Sequence, residues 1–406
     1  MMLNYRSLDW KLLGAALALS LIGVFLIMSA THYSTSAFER DYYVRQSLWL
    51  MVALFVCAVI VHVPLRLLDL LAYFVYAVGL VLLALVLVVG SARMGASRWF
   101  DLGPVSLSPS DVAKIGLLVG LARFFAYTRL PANSKRRLTL SAVLAIVPAV
   151  LILKQPDLGT ALVFFVILFA LWFWSGLSPW YLVLIVSPIA SLVAASHWLS
   201  WAIYLIGLLV FLVMLKPGMV FGVVAFVFNL GFGMITPFVW NRLADYQKSR
   251  IITFLDPGHD PRGAGYQIIQ SKIAIGSGGL WGKGFLAGSQ SRLDFLPERH
   301  TDFIFSVLGE EFGLLGCLAV VLLFGYLLFR CFKIATRCRS RFAMYVVVGA
   351  TSIILFQFVI NIGMTLGIMP VTGLPLPFLS YGGTALVLFW TLIGLIVSAD
   401  YNWQEY

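Results

Sequence analysis

Charge is what this sequence has least of. Only 11% of its 406 residues are Asp, Glu, Lys or Arg, while 61% are hydrophobic. A soluble domain carries about 25% charged residues, so there is too little here to cover a surface that faces water. Cysteine is scarce as well. Of the four, Cys57 and Cys317 lie in apolar runs and Cys331 and Cys338 in a basic stretch, which excludes a disulfide framework. No Walker, Rossmann, Ser-His-Asp or zinc spacing occurs, and His32, His62, His197 and His259 are scattered. The ~10-residue alternating segments of a transmembrane barrel are absent too. Acidic residues are the rarer sign, 17 against 28 basic, for a net charge of +11. In a soluble chain that excess would point to nucleic acid. In a membrane chain cytoplasmic loops account for it, and nucleic acid is not expected as a partner.

Long apolar runs are what the chain does have. They fall near 12–31, 47–63, 67–90, 109–127, 139–153, 159–176, 179–195, 198–215, 218–240, 303–330, 342–368 and 379–399. A spanning helix needs about 20 apolar residues, so the reading is an all-α, polytopic membrane bundle of about twelve spans, a single membrane domain over 1–406. The first run is too long for a signal-peptide core and reads as a retained helix. With the N-terminus inside, thirteen Lys and Arg fall in cytoplasmic segments (Arg6, Lys11, Arg66, 129–137, Lys216, 330–341), against five in the short outer loops (Arg40, Arg45, Arg93, Arg98, Lys154). Both ends are therefore expected in the cytoplasm. One long extracytoplasmic loop, 241–301, remains, with a short amphipathic helix around Gln267–Ile275 expected at or dipping into the interface. Glycines at 276, 278, 279, 282 and 284 follow it.

The polar residues cluster at a few places. The densest, Ser289 to Asp302, runs straight into Phe303-Ile304-Phe305. Asp302 stands where the chain enters the bilayer. It reads either as a carboxylate on a helix dipole or, with Glu298, Arg299 and His300 within a turn, as a general base at the rim of an apolar cavity. Asp111 and Lys114 share a helix face at i,i+3, and pair as a cap-side ion pair (Ser108 or Ser110 capping) or as a polar cavity lining. Asp157 in Lys154-Gln155-Pro156-Asp157 reads as a helix cap. Glu310 and Glu311 cannot both face lipid. The Pro370 to Thr384 run is irregular backbone, tolerated at membrane depth only where buried in protein or lining a cavity.

Taken together, several strings resemble the SEDS family (shape, elongation, division and sporulation proteins). They are Arg98 to Gly103, Ser108-Pro109-Ser110-Asp111-Val112-Ala113-Lys114, Gln155 to Thr160, Asp260 to Gly284, Leu296 to Phe305 and Pro375 to Gly383. Arg299, where division-type members usually have Ala, sides with the rod-shape branch. The resemblance implies a bundle of ten spans, so two extra helices are expected within 179–240. It implies a peptidoglycan glycosyltransferase that polymerises lipid II into β-1,4 glycan strands during cell elongation, in the bacterial inner membrane, with the active site on the outer side. Its partners would be a class B penicillin-binding protein, the elongation machinery and membrane lipids. The family's essential aspartate falls on Asp302, its fourth-span carboxylate–lysine pair on Asp111 and Lys114 (Asp here for the usual Glu), and its Gln-Pro-Asp aspartate on Asp157. Arg45, Lys114, Lys272, Lys283 and Arg299 are candidates to stabilise the departing diphosphate, with Glu298 and His300 beside them. No cofactor is required, and a divalent cation (Mg or Mn) is left open, its ligands unassigned. A lipid II flippase or a non-enzymatic cell-wall scaffold are the competing expectations.

Overall fold

The computed structural model describes residues 8–401 other than 35, 94–95, 103–104, 217, 244–247, 249–251, 254–264, 290–295 and 297. Much of the expected long loop, including Asp260 to Ala264 and the stretch from Gln290 to Phe295, lies outside the described residues. Twelve long helices occupy the twelve apolar runs: α1 (Trp10–Thr31), α3 (Tyr42–His62), α4 (Leu65–Val89), α5 (Pro109–Tyr127), α6 (Lys135–Leu153), α7 (Leu158–Trp174), α8 (Pro179–Ala194), α9 (Trp198–Leu215), α10 (Met219–Arg242), α12 (Ile304–Arg337), α13 (Arg341–Thr365) and α14 (Gly383–Tyr401). Two short helices, α2 (Ala37–Arg40) and α11 (Tyr266–Ser277), complete the helical set among the elements with firm bounds. Nine of the twelve are long and apolar enough on their own to cross a membrane; α7 and α8 are shorter apolar helices. The remaining one, α5, carries Asp111, Lys114 and Arg123. The chain is a polytopic all-α membrane protein.

One element was not foreseen. Strands β1 (Ser91–Arg93), β2 (Ala96–Leu102) and β3 (Val105–Leu107) form a small antiparallel sheet between α4 and α5, in the order β1-β2-β3. The Arg98 to Leu102 string therefore lies on a strand. The expected amphipathic helix exists as α11. It packs on α12 and α13 rather than lying free at the interface, with Ile268, Ser271 and Ala274 buried. The Ser271 hydroxyl donates to the Thr365 carbonyl at 2.6 Å and contacts the Ser306 hydroxyl at 2.6 Å.

Core packing divides the bundle in two. One continuous apolar cluster draws on α1, on α3 to α7 and on α12 to α14. Helices α8, α9 and α10 build a small separate cluster from Leu184, Leu208, Leu212 and Ala225. Lipid is as apolar as Leu, so burial alone holds these three together weakly, and polar contacts take over. Asn229, fully buried, donates to the Ser187 hydroxyl and accepts from the Tyr204 hydroxyl, both at 2.8 Å. Ser191 donates to the Asn229 carbonyl and accepts from Trp201 Nε1.

A broken helix shapes the region beside the site. Gly313 inside α12 adopts φ 63° and ψ −161°, which splits the helix. Such a break leaves backbone groups without helical partners, and within a bilayer each must be paired. The glycine-rich segment after α11 supplies those partners. Leu314 N–H donates to the Gly279 carbonyl and Leu315 N–H to that of Leu280, while Lys283 and Gly284 N–H donate to the carbonyls of Glu310 and Glu311. Glu310 and Glu311 are both buried, as lipid demands. Glu310 Oε1 accepts from Lys283 Nζ at 2.7 Å and from Ser289 N–H at 2.8 Å. Glu311 accepts from the Ser29 hydroxyl of α1.

Candidate active site

One end of the bundle gathers the last turn of α1, the start of α3, the start of α7, the turn before α12 and the irregular segment 366–382. Asp302 lies there, half-buried. It is not the helix cap. Residues 298–303 form a turn in which Thr301 and Phe303 N–H donate to the Glu298 carbonyl, and Phe303 stands at the cap position with no side-chain cap bond. Asp302 stands one residue before that cap position, at the N-terminal end of α12.

Amides from distant spans hold this turn. Asn361 Nδ2, in α13, donates to the Asp302 carbonyl at 3.1 Å and to the Leu374 carbonyl at 2.9 Å. Ser380 donates to the Thr301 carbonyl at 2.6 Å, and Tyr381 N–H donates to the His300 carbonyl at 2.8 Å. Gln46 of α3 clasps the same segment, donating to the Ser380 carbonyl and accepting from Gly382 N–H, each at 3.2 Å. Gly373, at φ 74°, passes so close that a Cβ there would lie 3.7 Å from Asp302 Oδ2. Replacing Asn361 by Leu strips both buried carbonyls of this donor, each such loss costing about 1–3 kcal/mol. The expected result is a lowered Tm in detergent together with a loss of polymerisation. An unchanged Tm would show that the two carbonyls find other partners.

Of the nominated residues, some come together around this turn. Arg45 lies over the Phe38 ring, 3.7 Å from its centroid, and acts electrostatically on the Tyr381 hydroxyl. Tyr381 stacks on Tyr42 at 4.2 Å between centroids, and His300 packs against Tyr42 at 4.8 Å. Burial pushes the Tyr381 hydroxyl up, opposed by Arg45. Asp157 caps α7, accepting from Thr160 N–H at 3.0 Å and its hydroxyl at 2.9 Å. Its neighbour Gly159 lies beneath Thr372, where a Cβ would meet the carbonyl at 2.6 Å. Gly159, two residues after Asp157, and Asp302 thus both lie against one short stretch of backbone, 372–374.

Others are placed differently. Arg299 turns inward and its Nε donates to the Ala30 carbonyl at 2.6 Å, so it braces the end of α1. Glu298 is exposed, at φ 52°, and accepts from the Thr301 hydroxyl at 2.9 Å. Lys114 is buried and pairs with Asp111 at 2.9 Å. Neither expected serine caps that helix: Ser108 holds the cap position without a side-chain bond and instead contacts the Ser110 hydroxyl at 2.8 Å. Lys272 reaches over Gly367, and Lys283 belongs to the Glu310 pair. Asn361, Gln46, Ser380 and Tyr381 were not nominated from the sequence. An amide inside an otherwise apolar span was the available signal for the first.

His300 gives this end of the bundle a pH dependence. Burial holds its imidazole below the ordinary 6.5, Glu298 and Glu39 raise it in part, and Arg299 lowers it further. A folded value below the unfolded one means the unfolded chain binds the extra proton. Stability is then fully present above about pH 6.5 and declines as pH falls toward the folded value. Thermal melts between about pH 7.5 and about pH 5 should show this decline, and His300→Gln should flatten it.

Among the described residues no three His, Cys, Asp or Glu side chains gather as a metal site.

Comparison with known proteins agrees with this architecture. The family model described as "Cell cycle protein" (FtsW, RodA, SpoVE) matches residues 9–204 and 189–405. The peptidoglycan glycosyltransferase MrdB of Escherichia coli K12 is 41% identical over 393 residues, 96% of this chain and 93% of the relative. The probable peptidoglycan glycosyltransferase FtsW of Aliivibrio salmonicida is 31% identical, over 98% and 90% of the two chains. In structure, a chain from a peptidoglycan synthase complex studied for its coordination of polymerization and crosslinking superposes at TM-score 0.72, with 34% identity and 98% and 99% coverage. The rod shape-determining protein RodA of Thermus thermophilus gives TM-score 0.64 at 29% identity, over 98% of each chain. With two matches that run from residue 9 to residue 405 and a relative above 40% identity, this chain belongs to the FtsW/RodA/SpoVE family.

Proposed function

We infer that this chain is a peptidoglycan glycosyltransferase that polymerises lipid II into β-1,4 glycan strands, with Asp302 as the general base. The observation that carries the assignment of the base is the clamped turn. Asp302 has its backbone fixed by Asn361 while its carboxylate faces the close-approach glycine Gly373. A base must stand within hydrogen-bond reach of the proton it takes, and a carboxylate on a held turn meets that need better than one on a free loop. The 4-hydroxyl of the acceptor sugar loses its proton to Asp302 as its oxygen attacks the anomeric carbon of the donor. The bond from that carbon to the diphosphate breaks, and the polyprenyl diphosphate departs with the electron pair. One displacement inverts an α-linked donor to a β-link, so no enzyme nucleophile is required. Charge develops on the diphosphate, and fixed cations are the residues that would answer it. Arg45, at the aromatic cluster beside His300, is the best placed of the five nominated.

An even number of spans and the excess of Lys and Arg on the side of the termini support placing both chain ends in the cytoplasm and Asp302 outside. Two of α8 to α10 are the expected extra helices. Their separate core, and the overlap of the two family matches at 189–204, favour that view. The kinship with a complex that couples polymerization to crosslinking supports a class B penicillin-binding protein as partner, and rod-shape relatives support a role in elongation. The decisive test is glycan formation from purified lipid II by the reconstituted chain, with and without such a partner. Polymer establishes the transferase. Movement of lipid II across vesicles without polymer would establish the flippase instead, and neither activity would leave the scaffold.

A further inference from the structure

The amide that holds the Asp302 turn has a second end. Asn361 uses the two hydrogens of Nδ2 on the carbonyls of Asp302 and Leu374, so its Oδ1 is the atom turned away from them. That oxygen is buried and has no hydrogen-bond partner. Gln357, one helical turn earlier in α13, has the complementary defect: its Nε2 is buried and unpartnered. The two residues are 0% and 1% exposed. An unpaired acceptor and an unpaired donor thus stand four positions apart on one helix face, where side chains meet. Asn361 also leans back over the turn that carries Gln357, because helical side chains tilt toward the N-terminus. Among the described residues, the other buried side-chain atoms without a partner are Arg137 Nε in α6 and Glu311 Oε2 in α12. Neither has a counterpart on its own helix.

A buried donor and a buried acceptor each lose free energy when left unpaired. These two are not bonded to each other, so whatever joins them must accept from an N–H and donate to a carbonyl oxygen. A cation cannot accept, and a simple anion cannot donate. Water does both. We propose that one buried water links Gln357 Nε2 to Asn361 Oδ1, and that Gln357 is thereby a positioning residue for Asp302. Buried waters need two to four polar partners, and these side chains supply two. The effect is directional. With Oδ1 held on the water, Nδ2 stays toward the carbonyls of 302 and 374. Without that hold the amide can rotate and set its oxygen against two carbonyl oxygens, which releases the turn. The inference rests on Asp302 as the base and adds the residue that keeps its clamp in register.

A map of the wild-type protein at a resolution that shows ordered water should hold a peak within hydrogen-bond distance of both atoms. Direct contact of the two amides, or no peak between them, overturns the proposal. Kinetics test the consequence. Gln357→Met keeps the length of the side chain and removes its polar atoms. A base misplaced by an ångström can cost ~10²-fold, and a partial release here should lower kcat for glycan formation about 10-fold. KM should stay within roughly two-fold, because the lost interaction is not one with the bound substrate. Gln357→His keeps an N–H donor at nearly the same reach and should recover most of the rate. A wild-type kcat in the Met variant, a rise in KM in place of the fall in kcat, or equal loss in the Met and His variants overturns the assignment. Coupling gives a readout that needs no turnover. Adding Gln357→Met to Asn361→Leu should lower Tm no further than Asn361→Leu alone, whereas additive losses would show two independent sites. If the wild type makes no polymer, the transferase reading fails, while the map and the Tm coupling still decide the water link.

Discussion

The Asp302→Asn chain should fold, insert and bind its partner, yet make no glycan from lipid II. Asn keeps the size and shape of the side chain and removes only the charge and the capacity to take a proton. General-base catalysis contributes about 10²–10⁴-fold, so residual polymerisation should lie at or below roughly one per cent of wild type on that principle. The fold gives a reason to expect an intact protein. The turn is held by Asn361, Ser380 and Tyr381, all of which engage main-chain carbonyls of 300–302, so none of these contacts depends on the carboxylate. Gel analysis of polymer, with Tm and partner binding measured on the same preparation, separates chemistry from folding. Polymerisation above about a tenth of wild type in such a protein would remove Asp302 as the base. The charge alone would then be dispensable, and Asp157, two residues before Gly159, would be the next carboxylate to test.

Gly313→Ala should be the most destabilising single-methyl substitution in α12. At φ 63° and ψ −161° the backbone sits where side chains are rarely accommodated, a strain of about 1–3 kcal/mol. An added Cβ would also lie 2.4 Å from Gly282 N and 2.6 Å from the Leu280 carbonyl. Relieving that clash requires parting the two segments, which exposes the hydrogen bonds of Leu314, Leu315, Lys283 and Gly284 to lipid. We expect a loss of about 3 kcal/mol or more, seen as a fall in Tm. Gly325→Ala, lower in the same helix, is the control. Nothing lies within 4 Å of its added methyl, and helix propensity favours Ala there by up to about 1 kcal/mol. Equal Tm values for the two variants would mean that the break is not what the helix requires.

These expectations rest on parts of the molecule that the sequence disclosed very unevenly. The twelve helices were visible because apolar runs near 20 residues have one solution in a bilayer. All twelve appear where the runs lie. The sheet at 91–107 escaped because two of its three strands have only three residues, too few to carry a usable periodicity. α11 was visible as an amphipathic pattern, but a pattern does not say which neighbour covers its apolar face, and here α12 and α13 do. Asp302 stood out by its company alone; that it precedes the cap by one residue was not legible, because a one- or two-residue shift at a helix start is invisible in sequence. Asn361 and Gln46 were overlooked in their spans. Their importance comes from carbonyls brought to them by folding, and no spacing rule connects residues 302 and 361. Lys114 and Asp111 show the reverse: an i,i+3 pair is local, so the pairing itself could be read directly.

The clamp on Asp302 also sets an order of assembly. Its donors lie downstream, Asn361 59 positions after Asp302 and Ser380 79 after Thr301. The partners of the broken helix, by contrast, lie upstream of it, at 279–284. Chains are made from the N-terminus, so α12 emerges with its backbone partners already synthesised, while the aspartate waits for α13 and the segment that follows it. A nascent chain that ends before α13 carries the base but not the means to hold it. Catalytic competence is thus tied to completion of the chain through residue 381, and partial chains stalled before that point stay unable to polymerise substrate.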